Sequence, residues 1–360
     1  MKAAVLYEPN TPLRIEEFEL PDLGPRHVRV RLVASGVCHS DWHVIKGEWP
    51  HIPIPSILGH EGAGVVEEVG SAVKGVAVGD HVVLSWKRNC GLCEMCQKSY
   101  PNLCDELPDE RTFPRVPGSE RRMRKLLGLG TFSTATVVPD DVVIPIDNSV
   151  PLAQAALIGC GVLTGVGAVI NTAKVEPGAS VAVFGCGGVG LNCIQGALLA
   201  GALPIIAVDL RANKLEMARA FGATHTVNAA EEDPVARIQA ITGGPGAHYA
   251  FEAIGLIALP FRQSIECTRK RGVTVFVGHA PHGTSFDFDA RMLMPEKTVI
   301  GSMYGSARPH VDIPRLIALY RAGKLKLDEL VTRTYPLEEV NRAFDALAGG
   351  EVARSVLTIA

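Results

Sequence analysis

The sequence predicts an α/β protein of two domains, a mainly-β domain joined to a doubly wound parallel-sheet domain. Three observations carry this reading. The chain has 360 residues, more than one ordinary hydrophobic core supports. Residues 1 to about 155 hold short Val-rich runs, among them HVRVRLVASGVC, GAGVVEEVG and GDHVVLSW, cut by Gly, Pro and Asp. Such runs are the pattern of strands and turns. From about 160 to 300, strand-length apolar runs (SVAVFG, IIAVD, HTVNA, VTVFVG) alternate with helical patterns (GGVGLNCIQGALLAGA, NKLEMARAFGA). That alternation is the signature of βαβ units.

The remaining segments fit around these. DERTFPRVPGSERRMRKLLG, residues 109–128, reads as a surface loop, and its basic run Arg121, Arg122, Met123, Arg124, Lys125 reads as a solvated face. A helical pattern, DIPRLIALYRAGKL, and a strand-like ARSVLTIA close the chain. Hydrophobic residues make up 47% and aromatics 6%, a composition suited to aliphatic cores. The formal charge of −3 gives no global basic field for nucleic acid or anionic lipid. No signal peptide and no unbroken apolar run of about 18 residues is evident. The expectation is a soluble cytoplasmic protein.

In a reducing compartment, clustered cysteines point to metal rather than disulfides. Cys90, Cys93, Cys96 and Cys104 follow the spacing C-x2-C-x2-C-x7-C. Four thiolates complete a tetrahedral zinc shell with no open position, so the site is expected to be structural. An iron–sulfur cluster takes four thiolates too.

VAVFGCGGVG places Gly185, Gly187 and Gly190 in G-x-G-x-x-G between a strand and a helix, with Gly188 and Val189 inside the turn. Gly185 allows the tight turn, Gly187 lets backbone approach a pyrophosphate, and Gly190 permits close packing of the helix. The helix N-terminus then faces the phosphates with free N–H groups. Asp209 ends the next strand, where a carboxylate accepts from ribose hydroxyls and repels a 2′-phosphate, favouring NAD over NADP. Arg211 nearby is the feature that would accommodate a phosphate. Cys186 lies inside the turn, while Cys193 and Cys267 read as small core residues.

Cys38, His60 and Cys160 are far apart in sequence. Two cysteines and one histidine form a ligand set of catalytic zinc with a fourth position open, but spacing alone does not bring them together.

The run Gly59-His60-Glu61-x2-Gly64-x5-Gly70-x2-Val73, the four-cysteine loop, Cys160 followed by GVLTGVGAVINTAKVEPGASVAVFG, and the terminal ARSVLTI together resemble the zinc-containing alcohol dehydrogenases of the medium-chain dehydrogenase/reductase superfamily. The resemblance covers essentially the whole chain. It implies a GroES-like catalytic domain (1–161, with the structural-zinc loop 90–104), a Rossmann NAD domain (162–303) and a return to the catalytic domain (304–360). It also implies two zinc ions per subunit, one catalytic and one structural.

Position by position, the resemblance implies Cys38, His60 and Cys160 as catalytic-zinc ligands. Glu61 matches a carboxylate that approaches the metal during ligand exchange, and Asp41 one that orients the ligating histidine. Ser40 matches the hydroxyl bonded to the substrate oxygen, and His43 the imidazole that passes the proton to solvent. Thr164 contacts the nicotinamide, with Val277 and His279 near its edge. His39, Lys214 and Arg354 align near cofactor phosphates or ribose. His39 replaces the arginine of many members and holds a pyrophosphate less firmly than a forked guanidinium.

Trp49, Trp86, Leu126 and Leu127 align with the alcohol pocket, which would then suit medium-chain or aromatic alcohols. An alternative is thiol-dependent formaldehyde oxidation of the S-hydroxymethylglutathione type. That branch places an arginine shortly after the fourth structural cysteine. Here the equivalent is Pro108, with Arg111 or Arg115 as substitutes if the loop is re-routed. A non-enzymatic relative would have lost a zinc ligand or the Gly-rich turn, and neither is lost. The resemblance implies pairing of subunits through the edge strand near TVIGSMYG, hence a homodimer, with a tetramer as the other option.

Overall fold

A computed structural model describes residues 1–350 and 352–359. Glu351 and Ala360, the latter closing the predicted terminal strand, lie outside the described residues. The chain divides into two compact units, Met1–Cys160 with Arg308–Ala360, and Gly161–Ala307.

The first unit is built on the strand His27–Gly36, whose alternation explains its placement. Val28, Val30 and Leu32 are fully buried, while Arg29 and Arg31 point outward to Glu68 (2.7 Å) and Glu67 (3.5 Å) on the neighbouring strand. Period-two patterning of this kind sets one face against a core. Around it runs a sheet in the order Val331–Pro336, Arg354–Thr358, His27–Gly36, Glu61–Val69, His81–Leu84, Val143–Ile146, with Ala135–Pro139 paired to His27–Gly36 as well. The strand that ends the sequence therefore lies beside an early one, Leu357 opposite Ser35. A smaller sheet joins Arg14–Glu17, Lys2–Leu6, Ser56–Ile57 and Arg124–Lys125.

The second unit is a six-stranded sheet in which every neighbouring pair is parallel. Its order is His225–Asn228, Ile205–Asp209, Val181–Phe184, Ala247–Glu252, Thr268–Phe276, Thr298–Gly301. The central run Val181–Phe184 is buried at every position, as a strand covered on both faces must be. Strand order reverses beside it, and in sheets of this kind ligands bind at the carboxyl ends of the strands at that reversal.

Among the described residues one helix, Leu152–Ala173, is long and apolar enough to cross a membrane, but 78% of its most apolar window is buried within the protein. Two of its stretches, Ile158–Val162 and Ala168–Ala173, are π-helical.

Candidate functional site

In the first unit, Cys38, His60, Glu61 and Cys160 bring one sulfur, nitrogen or oxygen atom each to within 4.8 Å of one another, all buried. Each arrives from a different element. Cys38 is the N-cap of the short helix His39–Ile45. His60 immediately precedes the strand Glu61–Val69, which opens with Glu61. Cys160 sits in the first π-helical stretch, a local widening of the helix found often at functional sites.

Asp41, fully buried on the same short helix, accepts from the Gly59 N–H at 2.8 Å through Oδ1. Its Oδ2 lies 3.1 Å from His60 Nδ1. This leaves His60 Nε2 as the nitrogen for the cluster; neither ring nitrogen has a hydrogen bond, and only Nδ1 has a carboxylate oxygen beside it. A buried polar atom left unpaired is costly unless an electrophile satisfies it. The thiols point the same way: contact with Cys160 holds Cys38 well below the usual thiol range, while contact with Cys38 and burial hold Cys160 well above it. Two sulfurs sharing one proton beside a buried carboxylate make an electron-rich pocket, and a divalent cation relieves that crowding.

Glu61 belongs to this cluster rather than standing behind it. Arg354, 4% exposed, donates to Glu61 Oε2, and Gly36 leaves room for the pair, since a Cβ there would lie 2.0 Å from that oxygen. The resemblance assigns Arg354 to the cofactor, and its guanidinium rests on Glu61. Ser40 is half-buried and His39 exposed at the start of the helix.

His43 is buried, stacked on Trp49 with ring centroids 5.0 Å apart. Its Nδ1 lies 2.5 Å from Glu48 Oε2, a partner that the sequence reading missed. Trp49 and Leu126 are buried members of the main core, and Trp86 and Leu127 are half-buried against it.

Cys90, Cys93, Cys96 and Cys104 form a second cluster of the same compactness. Sulfur pairs Cys90–Cys96 and Cys93–Cys104 are 4.0 and 3.9 Å apart. That is close to the edge of about 3.8 Å of a tetrahedron with metal–sulfur bonds of about 2.3 Å, and far beyond a disulfide bond. Backbone N–H groups of Leu92 and Cys93 point at the Cys90 sulfur, at 3.4 and 3.3 Å. N–H groups of Asp105 and Cys96 pull Cys93 down to about 7, whereas burial pushes Cys96 up to about 12. Four sulfurs this close do not all ionise without a cation, so the residues fit a metal here too. Arg88 anchors the following loop, forking onto Asp141 at 2.8 and 2.9 Å and reaching the Leu107 carbonyl at 3.3 Å.

Most basic side chains of the 109–128 segment are engaged locally. Arg111 chelates Asp109 (2.9 and 2.7 Å) and Arg115 meets Asp22 at 3.2 Å. Arg122 donates to the carbonyls of Arg111 and Phe113, and Arg124 to Glu110. Lys125 is not part of the solvated face: it is buried, its ammonium donating to Thr136 Oγ1 (3.1 Å) and the Val137 carbonyl (2.6 Å). The alternation of its two-residue strand turns it inward.

In the second unit the Gly-rich turn has distinct requirements at its three glycines. A Cβ on Gly190 would lie 1.7 Å from the Gly185 carbonyl oxygen, and Gly185 has φ +90. A Cβ on Gly187 would meet nothing within 4 Å, so that face is an open cradle. The helix Gly188–Leu199 begins there with no side-chain cap, leaving the first N–H groups, those of Gly188, Val189 and Gly190, outside the helical ladder. Such a cradle fits a pyrophosphate. Asp209 accepts from the backbone N–H of Cys186 at 2.8 Å and of Arg211 at 3.1 Å. Cys186 is buried, and burial holds its thiol above the usual range. Lys214 and Thr164 are half-buried, Val277 buried and His279 exposed.

The family model for the alcohol dehydrogenase GroES-like domain matches residues 24–148, and that for zinc-binding dehydrogenase matches residues 188–322. The chain is 40% identical over 372 aligned residues to the alcohol dehydrogenase class-3 of Cereibacter sphaeroides, covering 99% of each. It is 38% identical to an S-(hydroxymethyl)glutathione dehydrogenase of Paracoccus denitrificans, again over 99% of each. Among solved structures, benzyl alcohol dehydrogenase from Acinetobacter calcoaceticus superposes with a TM-score of 0.93 at 33% identity, over 100% of this chain and 99% of that one.

Proposed function

The chain belongs to the zinc-containing alcohol dehydrogenases of the medium-chain dehydrogenase/reductase superfamily, and from that membership we propose that it oxidises medium-chain or aromatic alcohols reversibly with NAD. Its mainly-β unit is the GroES-like catalytic domain and its parallel-sheet unit the Rossmann domain. The observation that carries the proposal is the partnerless His60 Nε2 set among two thiols and the Arg354-paired carboxylate.

Cys38, His60 and Cys160 would hold the catalytic zinc, with Glu61 able to join them, and the four-cysteine cluster the structural one. When bound, the catalytic ion supplies Lewis-acid polarisation of the substrate oxygen, and the nicotinamide exchanges the hydride. The protein's own part is positional. Asp41 keeps His60 Nε2 directed at the cluster. In this reading Ser40 would accept a hydrogen bond from the alcohol and His43 would be the base that carries the proton away. Asp209, held by two backbone N–H groups, presents a fixed carboxylate that favours a ribose hydroxyl over a phosphate. Cysteines clustered as metal ligands suit a reducing, cytoplasmic setting. The strand Thr298–Gly301, at the edge of its sheet, supports pairing into a homodimer.

A thiol-conjugate substrate is the second reading, favoured by the name of the S-(hydroxymethyl)glutathione dehydrogenase relative. Against it, Pro108 stands at the expected arginine position, and both Arg111 and Arg115 are already engaged with carboxylates. Turnover followed by NADH absorbance separates the two. Benzyl alcohol and hexanol should be oxidised with higher kcat/KM than ethanol. Trp86→Ala should narrow that preference by enlarging the pocket. Activity confined to formaldehyde with added glutathione would overturn the alcohol reading.

A further inference from the structure

The helix His39–Ile45 ends in a specific way. Gly47 takes φ +71, its N–H bonds the Val44 carbonyl at 3.0 Å, and the Glu48 N–H bonds the His43 carbonyl at 2.9 Å. This is a Schellman cap, in which the chain reverses through a left-handed residue and the next residue returns over the last turn. Its effect here is to carry the Glu48 side chain back onto His43, where Oε2 reaches Nδ1 at 2.5 Å. Trp49, the next residue, stacks on the same imidazole. His43 is thereby held at one nitrogen and on one face. Its side chain is 4% exposed, and that of Glu48 is 35% exposed.

We propose that Glu48 is a positioning residue for His43. A carboxylate accepts only, so it selects the tautomer with the proton on Nδ1 and leaves the Nε2 lone pair as the basic site. When Nε2 takes a proton the ring becomes a buried imidazolium, and Glu48 is the counter-charge that stabilises it, the role an orienting carboxylate has behind other catalytic histidines. The other charged groups of this segment make contacts of their own. Asp41 serves Gly59 and His60, and Lys46 lies over the Trp42 ring at 5.4 Å. His51 stacks on Trp49 at 6.1 Å.

This inference rests on His43 being the relay base, and the experiment keeps the two claims apart. In the zinc-loaded protein without dinucleotide, nitrogen-15 NMR of the His43 ring should show a protonated Nδ1 and an unprotonated Nε2. Glu48→Ala should mix or reverse that pattern, and Glu48→Asp should largely restore it. The cap uses only the backbone of residue 48, so these variants keep it. In turnover, Glu48→Gln should lower kcat with alcohol about tenfold or more with little change in KM. If His43→Ala leaves turnover unchanged, the relay reading fails. If His43→Ala slows turnover while Glu48→Ala and Glu48→Gln alter neither the ring spectrum nor kcat, the role of Glu48 alone is overturned.

Discussion

Arg354 and Glu61, 293 residues apart in sequence, form an ion pair inside the catalytic-zinc cluster, at 4% and 0% exposure. The pairing is a product of topology. The strand Arg354–Thr358 lies beside His27–Gly36, which lies beside Glu61–Val69. Burial raises the Glu61 carboxyl above its ordinary range, and the Arg354 guanidinium pulls it back. Without Arg354, a carboxylate would stand buried near two thiols with no fixed counter-charge.

Arg354→Met is therefore expected to lower the unfolding free energy by about 3–5 kcal/mol, the usual cost of breaking a buried pair from one side. Arg31→Met, which breaks an exposed pair with Glu67, should cost about 1 kcal/mol or less. Urea unfolding of the zinc-loaded protein decides it; equal losses in the two variants would remove the special status of Arg354.

Cys104 is the most buried of the four lobe cysteines. Cys104→Ser should cost one of the two zinc equivalents per chain, read by metal analysis, and lower the Tm. Cys38→Ser should cost the other equivalent and abolish turnover. Retention of both equivalents in Cys104→Ser would show that the lobe is not a zinc site.

Gly187 and Gly190 offer a contrast within one turn. Alanine at Gly190 collides with a backbone oxygen, so the turn itself must break and both stability and dinucleotide binding should fall. Alanine at Gly187 enters open space, so stability should hold while NADH binding, followed by fluorescence, weakens at least tenfold because the methyl occupies the pyrophosphate cradle. Unchanged NADH affinity in Gly187→Ala would place the phosphates elsewhere.

What was legible in the sequence was local. The four-cysteine loop and the Gly-rich turn bring their groups together within fifteen residues or fewer, so spacing alone carries geometric meaning. Cys38, His60 and Cys160 converge only through sheet order and a π-helical widening, and no periodicity reveals either; the family resemblance supplied them. The Arg354–Glu61 pair was hidden for the same reason, since the strand register that makes it is non-local. Glu48 was hidden differently. It lies five residues after His43, off the helix face, and returns only because Gly47 adopts a left-handed conformation. A glycine just past a helical pattern is the one signal that marks such a return. Lys125 departs from the rest of the basic run because its short strand alternates burial, which charge counting does not detect.

Glu252 provides a test of stability against pH. It is fully buried at the end of the strand Ala247–Glu252, accepting from the N–H of Ile254 at 2.9 Å and of Gly255 at 3.0 Å. Burial pushes its carboxyl up to about 7, against the pull of the Gly255 and Ile254 N–H groups. In the unfolded chain it titrates near 4.3 or so. Between those values the folded state holds a proton that the unfolded state has lost, so this group makes stability fall as pH rises, levelling above about 7. Glu252→Gln removes the titration while keeping the shape. Near pH 5 or so the native carboxyl is still protonated while most of the unfolded carboxyl is not, so the variant should lead by only about 1 kcal/mol. Near pH 8 or so the variant's lead should approach its ceiling of roughly 4 kcal/mol. Urea unfolding across that range reads the difference directly, and contributions of all other groups cancel in it. A difference that stays flat with pH would mean that Glu252 is ionised in the folded protein throughout, held by its two N–H donors against the cost of burial.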